Sequence, residues 1–143
     1  MPTDGHTPPI RAHPHAQGEV AVVTHLYDFI VWLFGRTADF SRAHRYSLGQ
    51  RVEENALEIL ELLIEASYAR DKRELLRRAN RRLERLRYLI RLSKDLRCLS
   101  IPQYAFAAEA LQSVGAQIGG WARAIPREPA VPADPPPGMS APT

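Results

Sequence analysis

Proline is confined to the two ends of this chain. Eleven of its twelve prolines fall within residues 1–18 or 125–143, and the exception is Pro102. Proline lacks a backbone donor and clashes with the preceding helical turn, so both ends are closed to regular helix while the block between them, 19–124, is open to it. That block shows no alternating strand pattern and no internal repeat, whereas apolar residues recur through it at helical spacing. The ends read as disordered Pro-rich tails, 1–18 and 125–143, with little to bury. The intervening length suits one domain.

Four helices are predicted within the block. The first spans 20–38 and is apolar on most sides through Val23, Leu26, Phe29, Ile30, Leu33 and Phe34, which implies burial against several neighbours. The second starts at Ser47-Leu48-Gly49-Gln50, read as a capping box, and runs to 69 with Val52, Ala56, Ile59, Leu63 and Ala66 on one face. The third opens at Asp71-Lys72-Arg73-Glu74, also read as a capping box, and runs to 99 with Leu75, Ala79, Leu83, Leu86 and Ile90 inward. The fourth opens at Ser100-Ile101-Pro102-Gln103, a cap serine followed by a first-turn proline, and carries Phe106, Ala110, Leu111, Val114, Ile118 and Trp121. Four long helices with short joints predict an all-α, antiparallel four-helix bundle of up-down-up-down order. Gly115, Gly119 and Gly120 read as close-packing positions or the helix end, since an interior helical glycine costs about 1 kcal/mol unless packing requires it.

Charge is segregated along the chain. Residues 70–97 hold twelve Lys and Arg against four Asp and Glu, while the rest of the chain holds seven against twelve. At 100° per residue, Arg77, Arg78, Arg81, Arg82 and Arg85 fall away from the apolar stripe of the third helix, and Tyr88 continues their surface. Such a face can be merely solvated, but a surplus with so little interleaved glutamate suits a polyanion or an acidic partner. On phosphates, each arginine would release counterions and give salt-sensitive, sequence-tolerant binding. The second helix carries the reverse, an acidic stripe of Glu54, Glu58, Glu61 and Glu65. A di-iron bundle would need Glu-x-x-His pairs, which are missing, so the stripe reads as surface that faces arginines of a neighbouring helix or subunit. Leu57, Leu62, Ile64, Leu92 and Leu96 lie outside a single-bundle core and point to self-association.

Other classes are set aside. The lone Cys98 excludes an intramolecular disulfide framework and agrees with a reducing compartment. The N-terminal end has no apolar core of a signal peptide, and 20–34 is too short for a membrane span and contains His25 and Asp28. There is no Gly-rich phosphate loop, no His-Glu-x-x-His and no nucleophile elbow. The histidines His6, His13, His15, His25 and His44 are scattered. No catalytic residue, cofactor site or metal site is expected.

Phe40-Ser41-Arg42-Ala43-His44-Arg45-Tyr46-Ser47-Leu48-Gly49-Gln50-Arg51, then Leu60-Glu61-Leu62-Leu63-Ile64-Glu65-Ala66, resemble the accessory variability determinant (Avd) proteins of diversity-generating retroelements. So do Leu75-Leu76-Arg77-Arg78-Ala79-Asn80, Leu83-Glu84-Arg85-Leu86-Arg87-Tyr88-Leu89-Ile90-Arg91-Leu92, Asp95-Leu96 and the closing Ile118-Gly119-Gly120-Trp121. The likeness covers 22–124. It departs at Ser41, where the family often has proline, and at the Pro-rich ends. It implies a four-helix bundle that forms a barrel-like homopentamer and is not catalytic. It implies binding to the element's reverse transcriptase and, through a positive surface, to template-repeat RNA or other nucleic acid, in support of mutagenic cDNA synthesis and retrohoming; the expected location is the cytoplasm. That surface maps here onto Arg77, Arg78, Arg81, Arg82 and Arg85, with Arg91 and Lys94 as lesser candidates. Four-helix proteins encoded in intervening sequences of ribosomal RNA genes are similar in fold, and imply the alternative of a structural protein acting through protein contacts alone.

Overall fold

The computed structural model describes residues 17–126. The expected tails therefore lie outside the described residues, except for their innermost positions. Gln17 and Gly18 already belong to the first helix, and Ile125 is partly buried against the core. Among the described residues every regular element is helical: α1 (Gln17–Thr37), a single turn α2 (Arg42–His44), α3 (Gln50–Tyr68), α4 (Arg73–Asp95) and α5 (Ile101–Ala124). A π-helical turn, Arg45–Gly49, joins α2 to α3 without a break.

The four long helices close a ring in which α1 packs on α3, α3 on α4, α4 on α5, and α5 on α1. α1 and α5 run in opposite senses, because His25 meets Gln117 with its Nδ1 2.9 Å from the amide nitrogen, whereas Trp32 meets Phe106 with ring centroids 4.6 Å apart. The centre is filled by Leu26 and Leu33 of α1, Ile59 and Leu63 of α3, Leu76, Leu83, Leu86 and Ile90 of α4, and Leu111 and Ile118 of α5, all essentially shielded from water. Each such side chain contributes about 1.5–3 kcal/mol by leaving water, which is why helices of ordinary propensity hold together here.

Several local expectations are corrected. Ser47 caps nothing: the helical run starts at Arg42, after Ser41, and the Ser47 hydroxyl faces back towards the His44 carbonyl at 3.5 Å. Phe40 is buried ahead of the run and lies over Gly49, where a Cβ would stand 3.4 Å from the ring. Leu48 and Gly49 are both buried, and the wide turn lets two successive residues face inward while Tyr46 faces water. The second expected capping box is also absent. Asp71 Oδ1 accepts from the Arg73 N–H at 3.2 Å, but Lys72 instead donates to the carbonyls of Ala66 and Ser67, closing the end of α3.

α4 stops at Asp95, four residues before the expected end. Arg97 takes a left-handed conformation (φ 64°), the Arg97 N–H donates to Lys94 O at 2.9 Å and the Cys98 N–H to Ser93 O at 2.7 Å. That is the Schellman pattern, made here without the glycine that would have announced it. The cap serine at Ser100 is present as read, and Gln103 completes it into a capping box: Ser100 Oγ accepts from the Gln103 N–H and Gln103 Oε1 from the Ser100 N–H. In the core, Leu76 is buried where Leu75 was expected, Ala107 where Phe106 was expected, and Leu62 lies inside the bundle.

Candidate nucleic-acid interface

α4 is rich in strong helix formers, Leu, Arg, Glu and Ala, which favour the helix before its packing is counted. Its buried positions, Leu76, Ala79, Leu83, Leu86, Ile90 and Ser93, recur every three or four residues, which fixes the opposite face to water. Arg77, Arg78, Arg81 and Arg85 stand on that exposed face, followed by Tyr88 and Leu92. The other expected residues stand elsewhere on the helix. Arg82 is half-buried on the side of α3, Arg91 is exposed on the side of α5, and Lys94 is half-buried with its Nζ 4.4 Å from the centre of the Tyr104 ring of α5. Arg91 and Lys94 are thus apart from the row formed by Arg78, Arg81 and Arg85.

Ion pairing divides these cations further. Glu74 is shared by Arg77 at 3.6 Å and Arg81 at 3.3 Å. Arg82 reaches Glu58 of α3 at 2.8 Å, and Lys94 reaches Asp95 at 3.6 Å. Arg78, Arg85 and Arg91 are in no ion pair among the described residues. Exposed pairs of the Glu74 kind are worth about 0–1 kcal/mol, so a phosphate can displace the carboxylate at little cost.

Beside the ridge runs an open groove of about 980 Å³ between α4 and the first half of α3. Arg82 and its partner Glu58 line it together with Arg85, Tyr88 and Leu89, facing Tyr46, Arg51, Glu54 and Asn55. Tyr46 and Tyr88 are the walls' aromatic members, each about seven-tenths exposed, and the Arg45 guanidinium lies 5.7 Å from the Tyr46 ring centre. Tyr46 and Arg51 were not singled out from the sequence as binding residues. Tyr46 precedes the serine taken as the helix start, so nothing in the sequence placed it on the same surface as Tyr88.

The acidic stripe of α3 is split by this geometry. Glu58 is tied to Arg82, Glu54 lines the groove, and Glu61 and Glu65 remain on the exposed side. No helix among the described residues is long and apolar enough to cross a membrane.

Compared with known proteins, residues 20–125 match the model of a family described as bAvd-like. No curated protein and no solved structure matches the chain.

Proposed function

The chain belongs to the bAvd-like family, and from that premise we propose that it is a non-enzymatic accessory protein of a diversity-generating retroelement. It binds the element's reverse transcriptase and its template RNA, with DNA as a further ligand, and supports mutagenic cDNA synthesis rather than performing it. It works in the cytoplasm as a homo-oligomer, a pentamer by family likeness. Exposed Tyr27, Val31 and Phe34 of α1 and Leu57 and Ile64 of α3 support contacts between copies, since side chains of this size gain from leaving water.

The observation that carries the reading is the row Arg78, Arg81 and Arg85 on the exposed face of α4, of which Arg78 and Arg85 have no carboxylate partner among the described residues. A guanidinium offers a planar fork of donors that holds a phosphate or a carboxylate through two hydrogen bonds, and each phosphate met releases counterions. Arg77 and Arg82 extend the row on either side, and Arg91 and Lys94 serve a second, weaker contact towards α5.

The test is charge reversal of Arg78, Arg81 and Arg85 to Glu in the full chain. Helicity by circular dichroism is expected to persist, because these side chains face water, while binding of template RNA and co-purification with the reverse transcriptase are lost. Unchanged binding of both at physiological salt removes α4 from the mechanism.

A further inference from the structure

We infer that the groove between α3 and α4 holds a single-stranded stretch of nucleic acid, with bases stacked on Tyr46 and Tyr88 and phosphates against Arg51 and Arg85. The inference rests on the nucleic-acid reading above and narrows it from a charged face to a strand whose bases are unpaired.

Three features carry it. First, the groove has aromatic walls that do no work for the fold. Tyr46 is 72% and Tyr88 70% exposed, and neither belongs to the core, yet both line the same depression from different helices. A base can lie on either ring, and every base has a π face, so such stacking is tolerant of sequence. The Arg45 guanidinium beside Tyr46 adds a cation to that platform.

Second, the cations in the groove are divided between holding and binding. Arg82 is fixed to Glu58 at 2.8 Å across the floor, which ties α4 to α3 and cancels one carboxylate. Arg51 and Arg85 line the groove without an ion-pair partner among the described residues. Glu54 is also in the groove and repels phosphate, so beyond its contact with Arg51 the backbone of the strand is expected to follow the α4 side, where Arg85 leads into Arg78 and Arg81.

Third, the shape selects against a duplex. A duplex keeps its bases stacked on one another and presents phosphates to a convex ridge, whereas splayed bases of a single strand can enter a depression of about 980 Å³. An acidic peptide would use the arginines and leave the rings idle.

The test compares the full wild-type chain with Tyr46→Ala and Tyr88→Ala, and with the corresponding Tyr→Phe changes. The probes are fluorescein-labelled oligoadenylate, a labelled RNA duplex and labelled oligoglutamate, read by anisotropy. Each alanine change is expected to weaken oligoadenylate binding about tenfold, the range set by loss of one stacked base, to leave the duplex within twofold, and to be rescued by phenylalanine. Loss of equal size on the duplex or on oligoglutamate, or no loss on oligoadenylate, overturns the inference. If tyrosine changes have no effect while the Arg78, Arg81 and Arg85 reversal abolishes binding, the broader nucleic-acid reading stands and this one falls. If the wild-type chain binds neither nucleic-acid probe, both fall.

Discussion

The guanidinium of Arg87 occupies the space that a side chain on residue 115 would need. A Cβ built on Gly115 would come 2.5 Å from Arg87 Nη2 and 3.2 Å from Leu83 Cδ2. The arginine uses that opening to reach the backbone of α5, donating to Leu111 O at 3.4 Å while its other nitrogen meets Glu84 at 3.0 Å. A basic residue of α4 is thereby recruited as a strut between helices instead of joining the exposed ridge.

This coupling is measurable as a double-mutant cycle. Gly115→Ala alone gains helix propensity but must displace Arg87, so little net change in stability is expected. In an Arg87→Ala background the same substitution is expected to stabilise, by less than the full propensity difference of about 1 kcal/mol because Leu83 Cδ2, 3.2 Å from the new Cβ, must still give way. Urea unfolding of the four proteins checks this, and strict additivity would contradict the contact.

Two serines that look alike in sequence are expected to behave differently. Ser100→Ala removes an oxygen that accepts from the Gln103 N–H at 3.2 Å and should cost about 1 kcal/mol, with Ser100→Asp recovering most of it. Ser47→Ala removes only a marginal hydroxyl contact inside the π turn and should change stability by less than about 0.5 kcal/mol. Thermal unfolding of both variants discriminates; equal losses would restore Ser47 as a cap.

Salt dependence separates free from occupied arginines. Neutralising Arg78, Arg81 and Arg85 together to Ala should flatten the slope of log affinity against log salt for a single strand by about 2, at about 0.7 per phosphate contact. Arg82→Ala, whose charge already meets Glu58 at 2.8 Å, should flatten it less than Arg85→Ala does. Titrations at three or more salt concentrations provide the slopes.

The Cys98 thiol is half-buried and partly shielded by the packed turn after α4, and burial pushes its pKa up. Less of it is thiolate at any given pH, so its alkylation by iodoacetamide at mildly alkaline pH should be slower than that of a free small thiol. Unfolding in urea should restore the ordinary rate. A folded-state rate equal to that of the free thiol would show the sulfur to be open.

The helical class and the exposed basic face were legible because both follow from spacing alone: Ala79, Leu83, Leu86 and Ile90 mark one side of α4, and arginines dominate the opposite side. Family membership was legible from the order of short motifs that 20–125 carries as a set. What could not be read were features set by a neighbour. Leu75 and Leu76 are equally apolar, and only the placement of α5 and α3 decides which one is buried. The end of α4 was hidden because Arg97 adopts the left-handed conformation that usually calls for glycine. The groove was hidden because it requires α3 to be extended backwards past Ser47 through a turn of uncommon width.

That wide turn has one more consequence. It holds an additional residue relative to a regular α-helix, so everything before it is rotated against everything after it by about 100°. Deleting one residue between Arg45 and Gly49 would straighten the segment and swing the Phe40 joint and the ring of Tyr46 around the axis together. The insertion therefore works as an indexing notch: it lets the chain keep one hydrophobic seam in register while pointing an aromatic ring at a surface that the seam itself would never have selected.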